Sequence, residues 1–160
     1  MGLIEVQKHL SEFNMQDKII VFENASTKSA KDAAETIGCT EAEIAKTMGF
    51  MVNDKPIVVV TCGDARIDNK KFKERFKVKT KMIKFEDTNE ILGHNSGGIC
   101  PFGLKENVEV YLDEKIKRFK VLHIAAGEAN AILSLTPLEI EKYSKSNSWV
   151  DVCKILENSI

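Results

Sequence analysis

Apolar residues recur at Leu3, Val6, Leu10 and Phe13, one stripe of a helix, so the chain opens on an amphipathic helix over 3–13. Residues 19–22 break that period with a short apolar run and predict a strand. Ser29 then stands as N-cap of a helix carrying Ala33, Ala34 and Ile37, which Gly38 ends. Residues 40–43, Thr-Glu-Ala-Glu, form a capping box that starts a second short helix. From 46 to 52 the pattern is strand-like, 53–56 is a turn, and 57–61 is a β-branched run suited to a buried strand; together they predict a hairpin. Residues 62–68 leave the sheet, and Asp68 caps a helix holding Phe72 and Phe76. Asp87 opens a short helix that Gly93 closes. Strands follow at 108–112, 121–125 and 132–135, with a helical turn over 113–119. Thr136, Pro137 and Glu139 combine a capping box with proline at N1, and a last apolar segment spans 149–153. Hairpins beside helices, with no long βαβ repeat, predict an α/β chain of the α+β type. Its curved, mixed, mostly antiparallel sheet is flanked by helices in one domain over 1–160.

A length of 160 residues suits one domain with a real core, and 43% hydrophobic with 29% charged residues is ordinary for a globular chain. The net charge of −1 gives no global preference for nucleic acid, so any such site has to be a local patch. No apolar run approaches a membrane span, and the N-terminus lacks a signal-peptide core. Val6 stands where a myristoylation signal needs Ser or Thr. The expectation is a cytoplasmic protein without a membrane partner. Cys39, Cys62, Cys100 and Cys153 form no C-x-x-C pair, and His9, His94 and His123 have no ligand-like spacing. Neither a disulfide scaffold nor a metal or other cofactor is expected.

The candidate chemistry centres on 94–104, HNSGGICPFGL, where three glycines and a proline exclude a regular helix or strand. Such a loop either connects two strands tightly or, with side chains missing, turns several main-chain N–H groups on one oxygen or phosphate. Other stretches bear on the choice. They are Ala33-Ala34 with Gly38, 44–47 (Ile-Ala-Lys-Thr), 61–64 (Thr-Cys-Gly-Asp) with Asp68, 97–104 (GGICPFGL), 110–113 (Val-Tyr-Leu-Asp), and Ala126-Gly127. In order and spacing these resemble the YbaK/EbsC family, which includes the editing domain inserted in bacterial prolyl-tRNA synthetases. The resemblance covers roughly residues 20–145. Residues 148–153 resemble free-standing members.

The resemblance implies hydrolysis, without metal or organic cofactor, of the ester joining a wrong small amino acid such as Ala or Cys to tRNA, chiefly tRNA(Pro). It implies mischarged tRNA as partner, with prolyl-tRNA synthetase as a second. Lys46 matches the family's lysine, and Gly97-x-x-x-Pro101 its glycine–proline loop. The catalytic candidates are therefore Lys46 and the backbone of Gly97, Gly98 and Ile99. Thr47, Cys100, Pro101, Gly127, Glu128 and Asn130 are candidates for holding the substrate. Residues 125–130, Ala-Ala-Gly-Glu-Ala-Asn, depart from relatives that carry serines or a histidine there, which leaves the identity of the amino acid open.

Taken on its own, Lys46 is either a lysine snorkelling from a strand end or an ammonium that meets a substrate anion. No Ser-His-Asp or Cys-His-Asn set is evident, so a positioned water or the terminal ribose 2′-OH has to attack an ester whose oxyanion the protein stabilises. Cys100 with His94 nearby offers a thiol alternative, against which a cysteine before proline is a small packed residue. His94 is placed as a helix-end residue. Residues 70–84 hold seven lysines and Arg75 against Glu74 alone. Lys70, Lys71, Lys73 and Arg75 are the tRNA-binding candidates, and a solvated helix face is the alternative. A non-catalytic tRNA- or nucleotide-binding module on the same scaffold is the rival function.

Overall fold

The computed structural model describes residues 2–27 and 29–156. Along the chain come α1 (Leu3–Ser11), β1 (Ile20–Val21), α2 (Ala30–Ile37), β2 (Ile44–Val52), β3 (Lys55–Cys62), β4 (Ala65–Ile67) and α3 (Asn69–Phe76). Then follow α4 (Thr88–Leu92), β5 (Glu109–Asp113), β6 (Leu122–Ala125), β7 (Ala131–Leu135), α5 (Pro137–Ser144), β8 (Ser148–Val150) and β9 (Cys153–Ile155). One seven-stranded mixed sheet has the order β1-β7-β6-β2-β3-β5-β8, and β4 pairs with β9 apart from it. The expected mixed sheet flanked by helices is the one that forms. Its antiparallel part is led by the eight-residue β2–β3 hairpin ladder. The pairs β2–β6, β3–β5 and β5–β8 are parallel, because long crossovers return the chain to the same sheet in the same direction.

β3 is buried on both faces, which explains its unbroken β-branched run. Val58 and Val60 pack with Leu10 and Leu112 on one side, while Ile57 and Val59 pack with Phe72 and Phe76 on the other. An aromatic chain holds α3 down, with ring centroids 5.1 Å apart for Phe50–Phe72, 4.7 Å for Phe72–Phe76 and 5.1 Å for Phe76–Tyr111. Each such pair adds about 0.5–1.5 kcal/mol beyond burial, so α3 is fixed with its cations outward. The caps form as the side chains dictate. The Ser29 hydroxyl accepts from the Asp32 N–H at 3.0 Å, Asp68 accepts from Lys70 and Lys71 N–H at 3.0 and 3.1 Å, and Thr136 and Glu139 close their box.

Four local features differ from the expected pattern. Asn53 and Asp54 both take positive φ, 50° and 64°, so a two-residue turn suffices and Lys55 and Pro56 already belong to β3. The stretch expected to leave the sheet, 62–68, makes a small ladder of its own through β4 and β9. The terminal apolar segment is split between β8 and β9. Buried Asp113 accounts for the split: one oxygen accepts from the Lys115 N–H and the other from the Val152 N–H, each at 2.9 Å. Finally, Asp87 makes no side-chain cap; the Thr88 hydroxyl donates instead to the Phe85 carbonyl at 3.2 Å. No helix among the described residues is long and apolar enough to cross a membrane.

Candidate active site

β2 changes partner along one edge. Its ladder with β6 ends at Ala45–Ile124. Pairing resumes only where the Ile83 N–H donates to the Gly49 carbonyl at 3.0 Å and the Met51 N–H to the Lys81 carbonyl at 2.9 Å. Residues 46–48 lie in the interval between the two partners. A cavity of about 80 Å³ opens there, lined by Lys46 and Thr47 from β2 and by Ser96, Gly97 and Ile99 from the glycine loop. Its inner wall is apolar: Ala33, Ile44, Ala125 and Ile132.

Lys46 is half-buried and makes no hydrogen bond or ion pair among the described residues. Burial pushes its ammonium below lysine's ordinary range, while Cys153 and Asp64 act the other way. The strong anion nearby is spoken for, since Asp64 accepts from the Arg118 guanidinium at 2.6 Å. The Thr47 hydroxyl is buried and also without a partner. An unpartnered cation and an unpartnered buried hydroxyl are each costly unless something polar reaches them.

The opposite wall is a 3-10 turn, Ser96–Gly98. At the start of such a turn the Ser96 and Gly97 N–H groups precede the first internal bond and have no carbonyl within it. Gly98 differs from expectation: its N–H is committed to the Asn95 carbonyl at 2.9 Å. It is not a free donor, and its φ is not positive. It is glycine because a Cβ there would stand 2.4 Å from the Gly127 carbonyl carbon and 2.5 Å from the Glu128 nitrogen. Gly127 combines φ +95° with an equally close approach to the main chain at Gly2. The two loops therefore meet backbone to backbone. They border a second, open cleft of about 340 Å³ with Asn95, Glu128, Ala129 and Asn130, and Gly97 is common to both clefts.

Within that second cleft Glu128 is exposed. Asn130 commits one of its two amide N–H donors to the Phe22 carbonyl at 3.1 Å. Thr27, whose N–H and hydroxyl donate to the Ala129 carbonyl at 2.6 and 2.9 Å, closes the same corner. Two further candidates lie elsewhere. Cys100 is fully buried in the main core, and Pro101 lines a different cavity with His9 and Leu104. The Cys100 thiol is pushed up to about 12 by burial, so it is not a thiolate at neutral pH and the thiol route is closed.

His94 directly follows Gly93, the C-cap of α4, at the helix end. It is fully buried, its Nε2 lies 2.6 Å from the Phe102 carbonyl and 3.7 Å from the Cys100 sulfur, and its Nδ1 has no partner. It closes the glycine loop on itself as a neutral imidazole. Burial lowers its pKa from the ordinary 6.5, with a smaller opposing pull from Phe102 and Glu5. Below pH 6.5 the unfolded chain takes up a proton that the folded chain refuses, so stability falls as pH drops from there toward the folded value. The limiting slope is about 1.4 kcal/mol per pH unit. Half-buried His123 shifts in the same direction. Urea midpoints measured from pH 7 to pH 5 should therefore decline less steeply in His94→Gln than in the parent; an unchanged decline would remove His94 as the source.

The four basic candidates on α3 are divided. Lys71 donates to Asp151 at 3.1 Å and to the Cys153 carbonyl at 3.3 Å, and Arg75 lies over the Phe76 and Tyr111 rings and reaches the Ser148 hydroxyl at 3.4 Å. Both tie α3 to the C-terminal strands. Lys70 and Lys73 instead face an open groove with Lys79. Ser96 and Thr27 also line the cavity and are not among the residues the sequence points to, whereas Ala33 belongs to one of its motifs. Of those two, only Ser96 carried a signal, as a hydroxyl directly before Gly97. No group of three or more His, Cys, Asp or Glu side chains able to hold a metal occurs among the described residues.

Comparison with known proteins gives the following. Residues 24–143 match the family model described as the aminoacyl-tRNA editing domain. The chain is 41% identical over 155 residues to the uncharacterized protein YwhH of Bacillus subtilis, covering 96% of this chain and 98% of that one. It is 30% identical over 111 residues, 68% of each chain, to EbsC of Enterococcus faecalis, provisionally named a Cys-tRNA(Pro)/Cys-tRNA(Cys) deacylase. A crystal structure provisionally described as a trans-editing enzyme for prolyl-tRNA synthetase superposes with a TM-score of 0.84 at 23% identity, covering 96% of this chain and 97% of that one, which is a likeness of fold.

Proposed function

This chain belongs to the aminoacyl-tRNA editing domain family, and we propose that it is a deacylase acting in trans on tRNA(Pro) that carries a small wrong amino acid, alanine or cysteine foremost. One observation carries the reading: Lys46, without a partner among the described residues, and the Gly97 turn line a single small cavity. The ester carbonyl lies between them. As a nucleophile adds, negative charge grows on the carbonyl oxygen, and a fixed cation and main-chain donors in a poorly solvated site gain strength with it. The attacking oxygen is a water held in place by the cavity; it adds to the carbonyl carbon, the bond to the ribose oxygen breaks, and the amino acid leaves as its carboxylic acid while the ribose regains a hydroxyl, the neighbouring 2′-OH serving to position the water. An ester needs no stronger nucleophile than that.

The apolar wall receives the amino-acid side chain. The proline ring is turned away by the shape of this wall, as in the second, fine half of a double sieve that hydrolyses only what can enter it. Glu128, exposed at the adjoining cleft, is in position to meet an α-amino group. Deacylation of a panel of mischarged tRNAs tests the proposal. Ala or Cys should be released at least about tenfold faster than Pro, the discrimination that a pocket of this kind supplies. Binding of tRNA with no ester cleaved would leave the binding-module reading and end this one.

A further inference from the structure

The surface with the least structural justification is the ribbon Lys79, Thr80, Lys81, Met82, Ile83, Lys84, Phe85. Ile83 is its one buried side chain and packs beside Gly49 and Leu92. The two main-chain bonds to Gly49 and Met51, with Met82 opposite Phe50, hold the rest against β2. Anchored that way, the ribbon leaves Lys79, Lys81, Met82, Lys84 and Phe85 exposed. Phe85 is 78% exposed, more than any other large apolar side chain among the described residues, and Met82 is 59% exposed. Lys79, Lys81 and Lys84 are exposed and meet no carboxylate among the described residues.

Direction matters as much as composition. The register is antiparallel, so after Ile83 at Gly49 the chain runs toward Met48 and Thr47, and Thr47 lines the Lys46 cavity. At the other end Lys79 shares the open groove of about 400 Å³ with Lys70 and Lys73. Six residues of extended chain span ~20 Å. A cationic groove, a ribbon of alternating lysines and apolar side chains, and the cavity thus lie in one line.

We infer that residues 79–85 are the docking surface for the unpaired 3′ end of the RNA whose ester enters the cavity. Phe85 and Met82 stack on bases, and the ribbon lysines, with Lys70 and Lys73, meet phosphates. The inference rests on the deacylase reading of the cavity and extends it to the surface that delivers the substrate. Charge complementarity selects RNA: a protein partner's interface core is depleted of lysine, whereas exposed flat apolar groups among lysines are what single-stranded nucleic acid binds.

The experiment uses the full chain with uncharged tRNA and with aminoacyl-tRNA. Binding by fluorescence anisotropy comes first, because it does not depend on catalysis. Phe85→Ala with Met82→Ala should weaken tRNA binding about tenfold, and Lys81→Gln with Lys84→Gln should reduce the slope of log affinity against log salt by about two. Leu138→Ala, 74% exposed on α5 and remote from the ribbon in sequence, is the control. In turnover, the Phe85 and Met82 loss should appear in KM and not in kcat for aminoacyl-tRNA, and should be absent for an aminoacyl-adenosine ester too short to reach the ribbon. Unchanged affinity and salt slope in these folded variants would overturn the inference even if deacylation is observed. So would a change in self-association by sedimentation with tRNA affinity unmoved. Failure of the parent protein to cleave any ester, with the binding loss intact, would instead count against the deacylase reading alone.

Discussion

Lys46→Met should lower kcat for deacylation about 10²–10³-fold while the protein keeps or gains thermal stability. The first half follows from removing one fixed group that stabilises a developing oxyanion, a loss worth about 3–4 kcal/mol of barrier. The second half follows from the folded structure. The ammonium is half-buried, its pKa is lowered by burial, and no carboxylate among the described residues forms an ion pair with it, Asp64 and Glu41 acting only at longer range. Folding therefore bears a desolvation cost that the free protein returns only in part, and methionine, of similar length and apolar, removes it. A residue kept at a cost to the free state marks a site where stability has been traded for function. Lys46→Arg should restore little, because a planar fork does not replace a compact point charge in a cavity of about 80 Å³. Single-turnover deacylation beside thermal melts decides the matter. A variant that loses activity and several degrees of melting temperature together would make Lys46 a structural residue instead.

That asymmetry also shows how far the residues alone reveal the site. Lys46 is legible as an anomaly, because a lysine entering an interior strand needs an explanation that its neighbours in sequence do not supply. The caps at Ser29, Asp68 and Thr136 and the hairpin around Asn53 and Asp54 are legible for a different reason: each depends on residues within four positions of one another. What fails is whatever depends on a distant partner. Gly98 looks like a source of backbone freedom, yet its φ is not positive, and its reason for being glycine is Gly127, which no local pattern connects to it. Cys100 and Pro101 sit next to the turn in sequence but face the core and another cavity, since a chain leaving a 3-10 turn changes the side it presents within two residues. Residues 79–85 have a charge pattern that indicates solvent, and their pairing to β2 is fixed by Ile83 and main-chain bonds that composition cannot show.

Gly98→Ala should force apart the two loops that shape the site. The new Cβ would lie 2.4 Å from one backbone carbon and 2.5 Å from a backbone nitrogen and a backbone oxygen of the 127–128 segment. None of these is the end of a flexible side chain, so relief requires the loops to part. Gly127 has little room to retreat, because its own Cβ position lies 2.5 Å from the Gly2 carbonyl carbon at the start of α1. A wedge of this kind costs about 1–3 kcal/mol when the surroundings can adjust and more when they cannot, and this contact belongs to the second class. Gly38→Ala provides the comparison. There φ is +86° but nothing lies within 4 Å of the added carbon, so the expected cost is only the ~1–2 kcal/mol of a left-handed conformation. Chemical denaturation should rank Gly98→Ala well below Gly38→Ala, and deacylation should vanish only in the former, because separating 95–98 from 127–130 opens the wall opposite Lys46. Equal stabilities for the two variants would mean that the loops yield, and that the backbone contact does not hold the cavity in shape.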